Sequence, residues 1–408
     1  MLTNEEQRVP VYLAGDSPTV VSNVTADTPL EALNLNWTES DLPQKERTKH
    51  VHGLHPYLGK FIPQLVELFL RKYFSLGQTV LDPFAGSGTT LVQANELGIN
   101  AIGYDVSAFN VLLARVKIAH YLLPQLRKEV ADILSKTRRK TKPQQLRLWD
   151  SGNGEIHLSA SDGEYLQQWF APQALSELLT YRRLIESEGY EYPDLLRIIL
   201  SRSARSARLT THFDLDFPKQ PQTKPYWCYK HSRTCYPTTE AFKFLERYSA
   251  DAVHRVQEFA IRRSNATATV FHGDSRAMDC PPVDGVITSP PYVGLIDYHQ
   301  QHAYAYHLLG LEDRRQEEIG PAANGSSQKA RQQYQKDIAE VMKRALQVMP
   351  LGGRLIIVAG DRYDLYGEIA RMIGVEVEGV LQRHVNRRTG RRATEFYESV
   401  FIWRKATP

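Results

Sequence analysis

The sequence predicts an α/β fold: a Rossmann-like, mostly parallel, doubly wound sheet with a largely helical insertion and an antiparallel C-terminal hairpin. Two observations predict it. Short apolar strands at residues 79–82 and 100–105 are each followed by a helical segment, and such alternation builds a parallel sheet covered by helices. The pattern resumes near residue 268, and apolar runs at residues 375–380 and 399–403 close the chain as a hairpin.

Composition excludes several classes of protein. The 408 residues are 42% hydrophobic and 24% charged, which is ordinary for a globular protein. No apolar run approaches the roughly 18 residues that a membrane helix needs, and the N-terminus lacks a signal-peptide pattern. Three cysteines do not form a disulfide framework, so a cytoplasmic location is expected. Residues 1–45 have seven acidic and two basic side chains and no strong period, and they are predicted to be a loosely ordered arm.

A glycine-rich loop follows the first strand directly. A strand, a glycine loop and a helix together bring backbone N–H groups to the carboxyl end of the strand, and glycine lets a ligand approach the backbone. Many tight turns need glycine for geometry alone, so this loop by itself is a weak signal. The loop consists of Asp82, Pro83, Phe84, Ala85, Gly86, Ser87, Gly88 and Thr89.

The second strand ends in an acidic residue, Asp105, 19 residues after Gly86. In nucleotide-binding doubly wound folds, an acid about 20 residues past the glycines accepts hydrogen bonds from ribose hydroxyls. Asp105 is therefore predicted to bind a ribose. A helix cap is the alternative role for this side chain.

A second motif, Ser289-Pro290-Pro291-Tyr292, ends the strand at residues 283–288. Prolines lack N–H donors and hold the backbone stiff, so carbonyl oxygens are left to accept hydrogen bonds. The tyrosine adds a flat surface for stacking. Such a site could hold a planar group that carries an NH2.

Together the two motifs resemble those of the DNA amino-methyltransferases, which transfer a methyl group from S-adenosylmethionine (SAM) to the exocyclic amine of cytosine or adenine. The resemblance covers roughly residues 50–120 and 265–405. It implies a SAM methyltransferase domain at residues 46–121 and 266–408, an inserted target-recognition region at 122–265, and double-stranded DNA as substrate in a bacterial or archaeal cell. Unlike in the family, the insertion lies between the second and third strands rather than after the third.

The resemblance also implies roles for particular residues. The loop from Asp82 to Thr89 would bind SAM, with Lys60 and Phe61 beside its methionine end and Asp274 and Ser275 at its adenine. For Lys60 and Phe61, the start of a helix that only covers the sheet is the alternative. Ser289, Pro290, Pro291 and Tyr292 would be catalytic and would act on a base flipped out of the duplex.

The base that accepts the methyl group is inferred from the residue before the prolines. In the family, serine at this position is more common among cytosine enzymes, so N4 of cytosine is favoured over N6 of adenine. An RNA amino-methyltransferase and a non-catalytic SAM-binding protein are further alternatives. Methylation at carbon 5 of cytosine is disfavoured because Cys280 precedes its prolines rather than following one. Nothing resembles a nuclease motif, so any restriction endonuclease partner would be a separate chain.

Arginine clusters are the predicted DNA-binding surface. Arg202, Arg205 and Arg208 can line one helix face, and Arg387 and Arg388 lie in a turn between the last two strands. Solvated surface charge is the alternative for each cluster. The polar segment at residues 312–332 is predicted to be a mobile loop beside the site.

Cys228, His231 and Cys235 lie close together in the insertion. Their spacing is not a standard zinc pattern, and a fourth ligand, such as His212, would have to be recruited. Ordinary packing is therefore favoured here, and no metal is predicted.

Overall fold

The computed structural model describes residues 10–12, 15, 17–57, 59, 62–141, 158–215, 218–385 and 396–406. The strands in these residues are β1 (Val11–Tyr12), β2 (Thr79–Asp82), β3 (Asn100–Asp105), β4 (Tyr226–Cys228), β5 (Arg233–Cys235), β6 (Ala268–His272), β7 (Gly285–Thr288), β8 (Arg354–Ala359), β9 (Val375–Val385) and β10 (Phe396–Lys405). The α-helices are α1 (Gln44–Arg47), α2 (Pro63–Tyr73), α3 (Thr89–Glu96), α4 (Ala108–Ile118), α5 (Leu123–Lys140), α6 (Ala160–Trp169), α7 (Pro172–Ser187), α8 (Pro193–Ala207), α9 (Phe242–Ala260), α10 (Tyr298–Gln301), α11 (Ala303–Leu309), α12 (Gln328–Gln347) and α13 (Tyr366–Ile373).

One eight-stranded sheet organises the molecule, with the strand order β1-β9-β10-β8-β7-β2-β3-β6. Neighbours from β8 to β6 pair in parallel, whereas β10 is antiparallel to both β8 and β9. The predicted α/β class and antiparallel C-terminal hairpin are confirmed. The chain runs outward from β2 through β3 to β6, and then returns to the other side of β2 at β7. Ligands bind at such a switch point, beyond the carboxyl ends of the strands.

The central strands are buried on both faces. All four residues of β7 are buried, as are Val80, Leu81 and Asp82 of β2. Helices cover each face, so these strands are continuous apolar runs rather than alternating ones. The polar residues at their ends are therefore placed by a rigid part of the core.

The N-terminal segment packs on this sheet, so the prediction of a loosely ordered arm was wrong for its described part. Leu33 and Leu35 are each 1% exposed and lie in the core cluster that contains α2 and the central strands. Burying two leucines fully is worth roughly 3–6 kcal/mol. In addition, β1 pairs in parallel with β9.

The insertion is largely helical, as predicted, and it shares a core with the sheet domain. Helices α5 to α9 pack around Leu126, Ile133, Leu178 and Leu196, and the same cluster includes Phe109 of α4. The two small strands β4 and β5 form a separate antiparallel hairpin. Among the described residues, none of the helices combines the length and apolar character needed to cross a membrane.

Replacing Gly88 with alanine should lower the free energy of unfolding by roughly 2–5 kcal/mol, as measured by chemical denaturation. Gly88 caps α3 at a φ of +76°, and an added Cβ would lie 2.9 Å from Cβ of Ala114 in α4. Gly352 provides a matched control because it has the same φ of +76° with nothing within 4 Å. Gly352→Ala should cost only about 1–2 kcal/mol. Equal losses in both variants would contradict the packing role of Gly88.

Candidate active site

The loop after β2 and the motif after β7 open onto one cavity. Residues distant in sequence are thus brought together at the switch point. The predicted site residues that line the cavity are Pro83, Phe84, Ala85, Gly86, Ser87, Thr89, Asp105, Asp274, Ser275, Ser289 and Pro291.

Asp82 lies behind the loop rather than facing the cavity, contrary to the predicted cofactor contact. Its carboxylate is fully buried and accepts hydrogen bonds from Oγ1 of Thr90 and Oγ1 of Thr288, both at 2.6 Å. The side chain therefore ties the end of β2 to the end of β7. Gly88 likewise packs against α4 and does not line the cavity.

Burial raises the pKa of Asp82 to about 6, although hydrogen bonds from Thr288, Thr90 and Phe84 act in the opposite direction. The folded state then binds a proton more tightly than the unfolded state. This carboxyl therefore lowers the free energy of unfolding as the pH rises from 4 to 7. Asp82→Asn removes that dependence. In denaturant titrations, the free energy of unfolding of the variant relative to that of wild type should rise by up to about 3 kcal/mol between pH 4 and pH 7.

The control for this titration is Asp132→Asn. Hydrogen bonding to Lys136 lowers the pKa of Asp132, so its effect has the opposite sign. The Asp132 side chain is 41% exposed, and the change should be small. A stability difference between Asp82→Asn and wild type that does not vary with pH would contradict the assigned burial of this charge.

Asp105 is held rigidly at the end of β3. Its Oδ2 accepts from the Gly86 N–H at 2.8 Å, and its Oδ1 accepts from the Ser107 N–H at 2.8 Å and from Nδ2 of Asn110 at 3.1 Å. A carboxylate has about four lone-pair positions, so Oδ2 keeps capacity for one more donor. Burial raises the pKa of Asp105 to about 6 against the effect of these hydrogen bonds.

One wall of the cavity was missed from the sequence. Glu317 and Glu318 line it, although their segment was predicted to be a mobile loop. The Glu318 carboxylate accepts from the His299 N–H at 3.1 Å and pairs with its imidazole, which fixes the side chain in place. Neighbouring Ile319 is 6% exposed and packs in the core. With Asp105, these acids make the cavity suited to a cationic ligand.

A group of aromatic rings closes the other side of the cavity. The Tyr57 ring stacks on those of Tyr298 and His302, with centroids 5.8 and 5.7 Å apart. Cβ built on Gly86, whose φ is +49°, would lie 3.2 Å from Oη of Tyr57. A side chain at this position would crowd the Tyr57 hydroxyl, so glycine favours the close approach of Tyr57 to the loop. Tyr57 belongs to the His-Pro-Tyr stretch before α2, but nothing in its spacing pointed to the cavity.

Asp274 lines the cavity, but its carboxylate is already engaged by Arg276. The Arg276 backbone N–H, Nε and Nη2 donate to the two carboxylate oxygens at 2.7–3.0 Å. Three N–H groups therefore occupy most of its acceptor positions, and capacity remains for one further donor. By contrast, Oγ of Ser87 is buried in the cavity wall without a hydrogen-bond partner among the described residues.

The motif after β7 is held by β8 and the C-terminal hairpin. Oγ of Ser289 donates to the Val358 carbonyl at 2.9 Å, so its lone pairs stay free to accept. Tyr292 donates to Glu398 at 2.9 Å, and Arg383 donates to the same carboxylate at 3.1 Å. Pro290 is buried, and neither it nor Tyr292 lines the cavity.

The arginine face predicted on α8 does not form in this structure. Arg208 is 3% exposed; it donates to the Leu215 carbonyl at 2.6 Å, and its guanidinium lies 4.3 Å from the Tyr304 ring centroid. Arg202 pairs with Asp251. Both arginines are occupied because α8 packs against α9 and α11 on the sides that were expected to be open. Arg205 is partly buried. Four other residues predicted to contact the cofactor or DNA lie outside the described residues: Lys60, Phe61, Arg387 and Arg388.

Comparison with known proteins identifies the family of this chain. A family model described as DNA methylase matches residues 17–115. Type II methyltransferase M.MjaII of Methanocaldococcus jannaschii is 37% identical over 430 aligned positions, which cover 88% of this chain and 81% of that protein. Type II methyltransferase M.BsoBI of Geobacillus stearothermophilus is 24% identical, and the match covers 68% of this chain and 56% of that protein.

Among solved structures, the rRNA methyltransferase aviRa from Streptomyces viridochromogenes is 13% identical, with a TM-score of 0.34. The match covers 86% of this chain and 89% of that one. A likeness this distant adds nothing to the assignment.

The sheet carries the cavity at its switch point, and the matches to known proteins identify a methyltransferase, with S-adenosylmethionine as the methyl donor. More particularly, the chain belongs to the DNA amino-methyltransferases, the family of its relative M.MjaII.

Proposed function

We propose that this protein methylates N4 of cytosine at a specific sequence in double-stranded DNA. The observation that carries the proposal is the shared cavity, in which the Gly86 loop and Ser289 line one space. A methyl donor on the loop and an amine at Ser289 would then lie side by side. Such positioning is a large term in catalysis, since it replaces a bimolecular encounter with an intramolecular one.

The residues of the cavity suit S-adenosylmethionine. Asp105 would accept from a ribose hydroxyl through the free capacity of Oδ2, and the unpartnered Oγ of Ser87 would gain a partner. Glu317 and Glu318 would favour the positive charge of the ligand. When bound, S-adenosylmethionine supplies a methyl group made electrophilic by the adjacent sulfonium.

Ser289 and Pro290 would hold the exocyclic amine of the target base. The amine lone pair is delocalised into the ring, so the nitrogen needs hydrogen-bond acceptors that draw it toward tetrahedral geometry. Because Ser289 donates its own proton to Val358, its oxygen is oriented as an acceptor. The Pro290 carbonyl is the second proposed acceptor; the Pro291 carbonyl already accepts one hydrogen bond, from Tyr334 at 2.8 Å.

Tyr292 would stack on the flipped base. Its hydroxyl is anchored to Glu398, and the Arg383 contact anchors that carboxylate in turn. The ring is thereby kept in one orientation beside the cavity, as a stacking platform requires. Cytosine is favoured over adenine by the serine before the prolines, the residue more common among cytosine enzymes of this family.

Residues 122–265 are the proposed target-recognition region. Three large aromatic side chains of this region are exposed around the β4–β5 hairpin: Trp227 (56%), Tyr229 (85%) and Tyr236 (73%). Lys230 and Arg233 are exposed beside them. Aromatic rings and cations together are the usual means of contacting bases and phosphates.

Expressing the protein in a host that lacks DNA modification tests the function and its target together. Genomic DNA should acquire N4-methylcytosine at one short recurring sequence, detected by sequencing that reads modified bases. Host tRNA and rRNA should remain unchanged. Methylated RNA with unmodified DNA would instead identify an RNA amino-methyltransferase and contradict the proposal.

A further inference from the structure

Four potential metal ligands meet in the insertion, away from the cavity at the switch point. They are His212, Cys228, His231 and Cys235, and their ligand atoms all lie within 4.8 Å of one another. Cys228 ends β4 and Cys235 ends β5, while His231 lies in the turn between these strands. His212 comes from the segment that follows α8.

Three of the six distances among these atoms match the edges of a small tetrahedron. Sγ of Cys228 lies 3.7 Å from Nδ1 of His212 and 3.6 Å from Nδ1 of His231, and Sγ of Cys235 lies 3.5 Å from the same Nδ1 of His231. A tetrahedral zinc ion with Zn–S of about 2.3 Å and Zn–N of about 2.05 Å sets the S···N edge near 3.6 Å. These three S···N distances therefore already have the required length.

The local backbone explains this convergence. Ser232 adopts a φ of +50°, an uncommon value for a non-glycine residue, and this turn directs His231 toward both sulfurs. Cys228 and Cys235 are buried and are free cysteines rather than a disulfide. In β4–β5 pairing they are not direct partners, since Cys228 is opposite Arg233.

We propose that His212, Cys228, His231 and Cys235 bind one zinc ion in a Cys2His2 site. Tyr226 now contacts Nδ1 of His212 at 2.8 Å, and coordination there would replace that contact. The Tyr226 hydroxyl keeps its second contact, in which it accepts a hydrogen bond from the backbone N–H of His212 at 3.1 Å. The sequence spacing favoured packing because the fourth ligand precedes Cys228 by 16 residues, outside any recognisable pattern.

A bound zinc ion would also stabilise the β4–β5 hairpin. The strands β4 and β5 have three residues each, and Trp227 and Tyr229 are exposed. Isolated hairpins of this size are marginal in water, and structural zinc contributes folding free energy directly. If the target-recognition proposal holds, the ion fixes the surface that meets DNA. The site itself does not depend on that proposal.

Metal analysis of the purified full-length protein, after addition of Zn²⁺ and removal of excess, tests the site. Wild type should retain about one zinc per chain. Cys228→Ser and Cys235→Ser should each lose it, whereas Cys280→Ser, which changes a buried cysteine of a different core cluster, should retain it. No retained zinc in the wild type, or full retention in Cys228→Ser, would overturn the proposal.

Two measurements on the wild type keep the test independent of how the variants fold. Replacing zinc with Co²⁺ should give the intense visible bands of tetrahedral cobalt with thiolate ligands, and an octahedral spectrum would overturn the proposal. After denaturation with chelator and without reductant, all three cysteines should react with a thiol reagent. If only one cysteine per chain reacts, Cys228 and Cys235 are joined in a disulfide, and the proposal is overturned.

His212 is tested separately because it decides the ligand set. His212→Asn should weaken zinc retention in competition with a chelator by at least tenfold and change the cobalt spectrum. His254→Asn, which changes an exposed histidine of α9, is the control and should alter neither. An unchanged affinity in His212→Asn would overturn the Cys2His2 assignment.

Discussion

Ser289→Ala is expected to lower kcat by about 10²–10³-fold, the usual cost of removing one preorganised hydrogen-bonding group at a reacting centre. The hydroxyl of Ser289 is oriented by its bond to the Val358 carbonyl, so its loss removes an acceptor for the amine. The Kd for S-adenosylmethionine should change less than threefold, because the Gly86 loop and Asp105 are untouched. Single-turnover methyl transfer and calorimetric titration of the cofactor measure the two quantities.

A surface variant serves as the control for this experiment. Ser22→Ala removes an exposed hydroxyl whose contact is with the neighbouring Asn23, and it should leave both quantities unchanged. A Ser289→Ala enzyme that keeps its full rate would show that the serine does not take part in holding the amine.

Asp105→Ala is expected to raise the Kd for S-adenosylmethionine by about 100-fold or more. Hydrogen bonds to a charged group contribute about 1.5–3 kcal/mol each, and this variant removes the acceptor for the ligand. It also releases the Gly86 N–H and Asn110, which the carboxylate now orients. Calorimetric titration of the purified variant gives the affinity directly.

Asp105→Asn is the conservative comparison. An amide keeps one oxygen acceptor, so its loss of affinity should be smaller, about tenfold. Circular dichroism of both variants checks that the fold persists. An affinity within twofold of wild type in Asp105→Ala would mean that Asp105 only orders the Gly86 loop and the segment before α4.

The position of the site was predictable where it depends on residues adjacent in sequence. The glycines after β2, the acid after β3 and the prolines after β7 all follow short apolar strands, and parallel strands place their carboxyl ends together. The direction in which each side chain points was not predictable. Asp82 faces the core rather than the cavity because Thr90 and Thr288 use its carboxylate.

Residues contributed by distant irregular segments gave no signal in the sequence. Glu318 lies in a polar stretch with turn residues, and only its pairing with His299 places it at the cavity. Leu33 and Leu35 lack a periodic context, although both are buried. Arg208 appeared to continue an exposed arginine face, but the packing of α8 on α11 turns it inward, against Tyr304.

Transfer of a labelled methyl group tests the central claim most directly. Purified protein would be incubated with amplified, unmodified genomic DNA and S-adenosylmethionine carrying a trideuterated methyl group, and the digested nucleosides analysed by mass spectrometry. The cavity shared by Gly86 and Ser289 predicts the label on an exocyclic amine of DNA, and the serine before the prolines predicts N4-methylcytosine. Label in N6-methyladenine would contradict the choice of base, and label at carbon 5 of cytosine, or none in DNA, would contradict amine methylation itself.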